Sequence, residues 1–298
     1  MNIMYIFIGG CPRSGTTYFA KVLSSYIKDA VVIPEIQYKY DLINYLQNNE
    51  EFDSNKIDTI ISKYKNRTGL DYGFFKNENF RGKSKYEVYA YIYQISVNSI
   101  LGVNQTKYVI DHTPSNALIQ DFQSKSFPNY NFISIIRDPR AVYSSFKSLR
   151  WGPSRISSFV KVYTQYVETF SSNEYPKIYY EDLIMNEKLA INNLNFKIPL
   201  EKNKIEGKLI KLPLYTLNQH LEVNKQANIS RINYWQVNLN NYEIFYIETK
   251  LRNLFNISSY EFTCNSYNML SHIFYLFCLP KKIFQKKMYK LKRDKRLI

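Results

Sequence analysis

A glycine-containing loop near the amino terminus constrains the fold more than any other feature. It stands in IFIGGCPRSGTTYFAKVLSS, residues 6–25, where an apolar run precedes the loop GCPRSGTT and Phe19, Val22 and Leu23 follow at helical spacing. A buried strand, a tight loop and a helix in this order direct backbone N–H groups and the positive end of the helix dipole at one point. The segment therefore predicts an anion-binding loop at the edge of a parallel sheet.

The loop differs from that of nucleotide hydrolases in its cation. Those enzymes place a lysine on the β- and γ-phosphates and a hydroxyl on magnesium. Here Thr16 stands at the lysine position, and Arg13 lies three residues earlier. Backbone amides, the Thr16 and Thr17 hydroxyls and the Arg13 guanidinium favour a smaller anion that is held without a metal ion.

Apolar runs alternate with helical patterns along the chain. Strands are predicted at residues 4–9, 30–33, 108–110, 131–137 and 177–180, and helices at 16–27, 57–64, 87–101, 115–125, 139–149, 156–170, 186–194 and 240–255. Ser115 is expected to cap the helix that it begins. This alternation predicts an α/β fold, a P-loop-type three-layer sandwich with a largely parallel sheet whose ligands lie at the carboxyl ends of the strands.

The charge of the chain is concentrated at its carboxyl end. The formal net charge is +15, from 40 Lys and Arg against 25 Asp and Glu, and residues 281–298 hold nine Lys and Arg against one Asp. A basic balance favours anionic partners. We expect residues 1–265 to form one domain, with residues 41–104 as a cap or insertion on the acceptor side. Residues 266–298 form an apolar-then-basic tail.

A second basic cluster lies in NFISIIRDPRAVYSSFKS, residues 131–148. It places Arg137 at the tip of a buried strand and Ser145 two turns into the following helix, both near the ligand edge of the sheet. Together they could hold a second phosphate. The alternative is a structural Arg137 that pairs with Asp138 or Asp111, and the sequence leaves both interpretations open.

These elements together resemble the sulfotransferases that use 3′-phosphoadenosine 5′-phosphosulfate (PAPS). PRSGTT, IIRDPRAVYSS and YYEDL follow one another in the order and spacing of that family. The resemblance implies that the first loop grips the 5′-phosphosulfate, that the second element grips the 3′-phosphate, and that the third lies by the adenine. By position the implied residues are Arg13, Ser14, Gly15, Thr16 and Thr17 in the loop, then Arg137 with Ser145, and Tyr180.

The resemblance also suggests a catalytic base. Family members that sulfate glycans carry a glutamate just after the second strand, and PEIQYKY places Glu35 there. A carboxylate at this point could take the proton of the acceptor hydroxyl; the alternative is a surface glutamate. VIDHTPSN is similar to an Asp-Lys-Thr-Pro element of the family, but His112 replaces the lysine and, at an ordinary pKa near 6.5, is expected to be neutral at pH 7. His112 is a second base, an acceptor-binding group or a structural histidine.

A late segment, SRINYWQVNL, resembles the family loop that closes over the cofactor with a basic residue beside a tryptophan. Tyr234 replaces that residue, so Arg231 is the group left to contact a phosphate. The resemblance implies a PAPS-dependent enzyme that needs no metal ion and releases 3′,5′-adenosine bisphosphate (PAP). Its acceptor is expected to be a hydroxyl, or an amine, of a carbohydrate, a glycolipid or a small metabolite.

Two other functions stay open on the sequence, a P-loop kinase or nucleotide hydrolase and a non-catalytic anion- or membrane-binding protein. The tail is compatible with a helix on an anionic membrane surface or with a helix packed on the domain. No nucleic-acid partner is expected. Three cysteines without metal-ligand spacing and an amino terminus without a secretion pattern favour a cytoplasmic, bacterial protein, peripheral at the membrane if the tail binds lipid.

Overall fold

The computed structural model describes residues 3–102, 106–149, 151–171, 175–201, 208–209, 229–257, 260–267 and 269–294. Its sheet contains β1 (Met4–Gly9), β2 (Ala30–Ile33), β3 (Tyr108–Asp111), β4 (Tyr130–Ile136), β5 (Lys177–Tyr179) and β6 (Lys208–Leu209). The strand order is β5-β4-β1-β3-β2-β6, and every neighbouring pair is parallel. The predicted α/β fold is therefore confirmed, and all strand carboxyl ends meet at one edge of the sheet.

Helices connect the strands and continue after the sheet. They are α1 (Thr16–Ser24), α2 (Lys39–Gln47), α3 (Ser54–Thr68), α4 (Lys85–Leu101), α5 (Gln120–Ser126), α6 (Pro139–Lys147), α7 (Ile156–Ser171), α8 (Tyr180–Met185), α9 (Glu187–Asn192), α10 (Trp235–Asn238), α11 (Asn241–Lys250), α12 (Arg252–Ile257) and α13 (Met269–Asp294). Local sequence fixes several of their ends. A capping box of Ser84 and Glu87 begins α4, and Gly69, with φ 68°, ends α3.

The two faces of the sheet bury different side chains of the same strand. In β1, Ile6 and Ile8 pack with Phe19 and Leu23 of α1 and with residues of α8 and α9. Tyr5 and Phe7 point to the opposite face, which is covered by α4 and other helices. Helix, sheet and helix thus form the three predicted layers.

The stretch 41–104, predicted as a cap or insertion, supplies part of one helical layer. Helices α2, α3 and α4 connect β2 to β3. In α4, the Tyr93 ring lies 5.2 Å from that of Tyr5 and 5.6 Å from that of Phe7. This stretch is therefore built into the core of the fold, because α4 packs directly on the sheet. A role in acceptor binding stays a prediction.

Two of the predicted helices are each divided in the structure. Residues 115–125 form a 3₁₀ helix, Pro114–Leu118, and then α5, so Ser115 lies inside the 3₁₀ turn and is not its cap. The side-chain amide of Asn116 donates to the carbonyls of Ile8 and Asp111 and holds this turn against β1. Residues 240–255 contain the whole of α11 and the beginning of α12, where one helix was predicted.

The carboxyl-terminal helix α13 packs on the domain by one face. The Tyr275 hydroxyl accepts a hydrogen bond from the Ile156 amide at 2.9 Å, and Lys286 Nζ donates to the Pro153 carbonyl at 2.6 Å. Lys282 Nζ lies 3.7 Å from the buried Glu243 carboxylate. This packing agrees with one of the two interpretations of the tail. Among the residues that the structure describes, none of the helices is both long and apolar enough to cross a membrane.

Candidate active site

Most of the predicted site residues lie along the carboxyl edge of the sheet, at or just after the end of a strand. In spatial order across the sheet they are Tyr180 after β5, Arg137 after β4, the loop 10–15 after β1, His112 after β3 and Glu35 after β2. Parallel pairing thus gathers groups that are far apart in sequence. The basic residues stand on the β4 side of the loop, and the histidine and the carboxyl stand on the other side.

The anion loop is held tightly between β4 and α8. Gly15, with φ 95°, precedes α1, and a Cβ added there would lie 2.5 Å from the Tyr180 ring. A Cβ at Gly10 would lie 2.5 Å from the carbonyl oxygen of Ile135. Arg13 adopts φ 78°, a left-handed conformation that costs a non-glycine residue about 1 kcal/mol or more. The fold therefore imposes one backbone shape on the loop.

The basic residues are joined by direct contacts. Arg13 Nε donates to Ser145 Oγ at 3.0 Å, and Arg137 Nη1 donates to the Arg13 carbonyl at 3.0 Å. The Arg137 guanidinium carbon lies 4.2 Å from the centre of the Tyr180 ring, a cation–π contact. Arg137 also donates to the Arg231 carbonyl at 3.4 Å. The loop and the second basic cluster therefore form one continuous site.

Positive charge accumulates at this end of the loop. Burial lowers the pKa of Arg13, and the nearby charges of Arg137 and Arg231 lower it further, whereas Glu35 raises it. Ser14 Oγ and Arg137 Nε are buried and have no hydrogen-bond partner among the described residues. An oxyanion bound here would offset the guanidinium charge and accept hydrogen bonds from these donors.

The two carboxylates considered as structural partners of Arg137 form ion pairs with other basic residues. Asp111 forms an ion pair with Lys39, and Asp138 forms one with Arg140 at 2.7 Å. Both of these pairs are buried. Among the described residues Arg137 forms an ion pair with neither carboxylate, so the structural pairing of Arg137 with Asp138 or Asp111 is wrong.

On the other side of the loop, three polar side chains follow one another. Thr17 Oγ1 lies 3.4 Å from His112 Nδ1, and His112 Nδ1 lies 4.0 Å from Glu35 Oε1. His112 is fully buried, and the Glu35 side chain is 24% exposed. Burial raises the pKa of Glu35 to about 7, and the negative charge of Asp111 adds to this effect. A carboxyl with this pKa is suited to accept a proton near neutral pH.

A buried ion pair lies behind Glu35 and His112. Lys39 Nζ lies 2.5 Å from Asp111 Oδ2 and also donates to the side-chain carbonyl of Asn116. Lys39 and Asp111 are both fully buried. Although burial acts to raise the pKa of Asp111, the Lys39 charge and hydrogen bonds hold it below its usual value. Burial lowers the pKa of Lys39, whereas the Asp111 charge and hydrogen bond raise it, so each group favours the charged form of the other.

This ion pair connects the ends of β2 and β3. Asp111 Oδ1 accepts from the Thr113 amide at 2.9 Å and from the Thr113 hydroxyl at 2.5 Å. The same hydroxyl accepts from the Ile36 amide at 3.0 Å. The backbone segments that carry Glu35 and His112 are thus fixed to each other through Asp111 and Thr113.

A comparison with known families decides the class of protein. The chain matches a model of the sulfotransferase family over residues 6–195, more than half of its length. The chain belongs to the sulfotransferase family. It is therefore an enzyme that transfers a sulfuryl group from a sulfate donor, and the matched residues include the anion loop, Glu35, His112, Arg137 and Tyr180.

Solved structures similar to this sulfotransferase are themselves sulfotransferases. The sulfotransferase domain from the curacin biosynthetic pathway is 17% identical with a TM-score of 0.46, and the alignment covers 88% of this chain and 99% of that domain. The sulfotransferase domain of the Synechococcus PCC 7002 olefin synthase is 16% identical, with coverages of 79% and 87% and a TM-score of 0.46. Sulfotransferase STF9 from Mycobacterium avium is 10% identical, with coverages of 87% and 78% and a TM-score of 0.44. A search of curated proteins found no match.

The remaining two predicted residues of the sulfotransferase, Thr16 and Arg231, differ in their exposure. Thr16 is buried as the first residue of α1, and the Arg231 side chain is exposed at the end of a 3₁₀ helix. Trp235, four residues later, is buried with its ring 4.0 Å from the Arg140 guanidinium. This tryptophan therefore packs in the core, and the phosphate contact predicted for Arg231 stays a prediction.

Lys39 is the residue of the sulfotransferase that the sequence analysis missed. In α2 it shares one buried face with Leu42, Ile43 and Leu46. A lysine at the first position of an apolar i, i+3, i+4, i+7 pattern is the signal that could have found it. Such a lysine must be paired, and Asp111 is its partner.

Proposed function

We propose that this sulfotransferase uses PAPS as its donor and sulfates a hydroxyl group of a carbohydrate, a glycolipid or a small metabolite. One observation carries the proposal, the order of groups along the sheet edge. Arg137 and Arg13 lie on the β4 side of the anion loop, and Glu35 lies on the β2 side. A donor with two anionic groups suits the basic side, and an acceptor that must lose a proton suits the acidic side.

The residues present fit such a donor. Arg137 Nε and Ser14 Oγ are buried donors without a partner among the described residues, and Arg13 is destabilised by its cationic neighbours. In the proposal, Arg137 and Ser145 hold the 3′-phosphate, and Arg13, the Thr16 and Thr17 hydroxyls and the loop amides hold the 5′-phosphosulfate. PAPS, when bound, supplies an activated sulfuryl group.

In this proposal Tyr180 packs against the donor site and holds Arg137 in place. Tyr180 is 8% exposed, and its ring contacts the Arg137 guanidinium and fills the space beside Gly15. The Tyr180 ring therefore fixes the orientation of the Arg137 side chain. The exposed edge of the same ring would contact the adenine. The loop donors would also stabilise charge that develops on the bridging oxygen, where removal of one such donor typically costs about 3–4 kcal/mol.

Glu35 is proposed as the base that takes the proton of the acceptor hydroxyl. Its partial exposure leaves a path for an acceptor, and its raised pKa makes it a stronger base than an ordinary carboxylate. His112, between Glu35 and Thr17, orients the carboxyl relative to the loop. The acceptor would enter from the β2 side of the sheet, where residues 41–104 contribute helices.

The proposed compartment is a reducing one such as a bacterial cytoplasm. Cys11, Cys264 and Cys278 form no disulfide bond. Cys11 is fully buried, and burial raises the pKa of its thiol, so we assign it no chemical role. No three His, Cys, Asp or Glu side chains within the described ranges are placed to hold a metal ion.

Calorimetric titration of the purified protein with PAP tests the donor site. Wild-type protein is expected to bind, and Arg137→Ala is expected to weaken binding by roughly 2–5 kcal/mol, the usual cost of removing one partner of a buried charged contact. Arg81→Ala, which removes an arginine from an exposed loop, is the matched control and should bind like the wild type. The proposed donor site is wrong if wild-type protein does not bind PAP or if Arg137→Ala binds it equally well.

A further inference from the structure

The outward face of α13 is apolar and uncovered. Among its exposed side chains are Leu270, Phe274, Phe277, Phe284 and Met288. Their spacing of four, three, seven and four residues places them on one face of the helix. Phe274, Phe277 and Phe284 are 63%, 80% and 66% exposed, and buried aromatic rings of this size dominate the energetics of most interfaces. A contiguous exposed apolar stripe of this kind usually marks an interaction site.

The fold of the domain does not depend on this stripe. The opposite face of α13 carries Tyr275, Lys282 and Lys286, which bind the domain through the contacts described above. Leu279 on the same side packs against the hydrophobic core. The helix thus packs on the domain by one face, and the phenylalanines on the other face are exposed to solvent.

Exposed basic residues accompany the apolar stripe. Lys281 lies within it, one helical turn from both Phe277 and Phe284, and Lys287 lies at its side, one turn after Phe284. Residues 281–298 supply eight of the fifteen net positive charges of the chain. An exposed apolar stripe accompanied by lysines is typical of a helix that lies in the interface of an anionic membrane.

We propose that this face of α13 docks on the surface of an anionic lipid bilayer. The phenylalanines would enter the boundary between headgroups and acyl chains, while the lysines would contact the anionic headgroups. A second copy of the chain is a poorer occupant, because a two-fold pairing would set the same lysines against one another. The proposal concerns a surface away from the sulfate-donor site and stands whether or not the donor is PAPS.

Co-sedimentation with vesicles tests this proposal on the full-length chain. Wild-type protein is expected to sediment with vesicles of phosphatidylcholine containing about one-third phosphatidylglycerol and to stay in solution with phosphatidylcholine alone. The triple variant Phe274→Ser, Phe277→Ser, Phe284→Ser is expected to lower the partition coefficient by about tenfold or more. The matched control is Met185→Ser with Leu189→Ser, two exposed apolar residues elsewhere on the surface, which should bind like the wild type.

Circular dichroism establishes that the triple variant keeps its fold, which is expected because the three rings are exposed. Equal binding of the triple variant and the wild type to the anionic vesicles would overturn the proposal, as would failure of the wild type to bind them. Self-association in lipid-free solution that is lost in the triple variant would also overturn it and would assign the face to a second copy of this chain.

Discussion

At the scale of single residues, Glu35 is expected to set the pH dependence of sulfotransfer. Burial and the charge of Asp111 raise its pKa to about 7, and only the ionised carboxyl can take a proton. We therefore predict that kcat/KM rises with pH through about 7 and then levels off. Glu35→Gln should lower kcat by roughly 10²- to 10⁴-fold and leave PAP affinity close to that of the wild type. A variant with wild-type kcat would exclude Glu35 as the base.

The same pKa shift predicts an effect on stability. The pKa of Glu35 is about 7 in the folded protein, against 4.5 for an unperturbed glutamate, so the folded state holds the proton more tightly. Between these two values the free energy of unfolding must fall as the pH rises. Urea denaturation at pH 5 and pH 8 should show that Glu35→Gln gains stability over the wild type only at the higher pH. An equal difference at both pH values would contradict the shift.

At the scale of secondary-structure elements, the Lys39–Asp111 pair joins α2 to the end of β3. Lys39→Met would leave the fully buried Asp111 carboxylate without its cation, which typically costs about 3–5 kcal/mol. The double variant Lys39→Met, Asp111→Asn should recover part of this loss because no charge is then left unpaired. Urea denaturation measures both effects.

The matched control for this prediction is an exposed ion pair of the same kind. Lys65 and Asp71 lie 2.8 Å apart with side chains 48% and 60% exposed, so Lys65→Met should change the free energy of unfolding by about 1 kcal/mol or less. If Lys39→Met is no more destabilising than Lys65→Met, the buried pair does not hold these two elements together.

Most elements could be predicted because their signals are local. The apolar runs of β1 and β4 and the helical spacing of α1 and α7 are each contained within one short segment. The 3₁₀ helix Pro114–Leu118 could not, since its shape depends on hydrogen bonds from Asn116 to a strand more than 100 residues away. The two-residue strand β6 is too short for any periodic pattern to reveal.

At the scale of the whole molecule, the sequence could indicate which groups take part in the site but not their contacts. The order β4-β1-β3-β2 of the strands decides that Arg137 and Glu35 stand on opposite sides of the loop. The hydrogen bond from Arg13 to Ser145 joins residues 132 positions apart, and no local pattern encodes it. The uncovered face of α13 likewise emerges only when the other face is seen to pack on the domain.

The central claim is that the residues at this sheet edge transfer a sulfuryl group from PAPS to an acceptor hydroxyl. The most direct test is to incubate the protein with PAPS labelled in its sulfuryl group and a panel of hydroxylated carbohydrates, glycolipids and metabolites. We predict that the wild type labels at least one acceptor without added metal and that Arg137→Ala and Glu35→Gln each lose most of this transfer. Transfer by Arg137→Ala and Glu35→Gln at the wild-type rate would contradict the assignment of the active site.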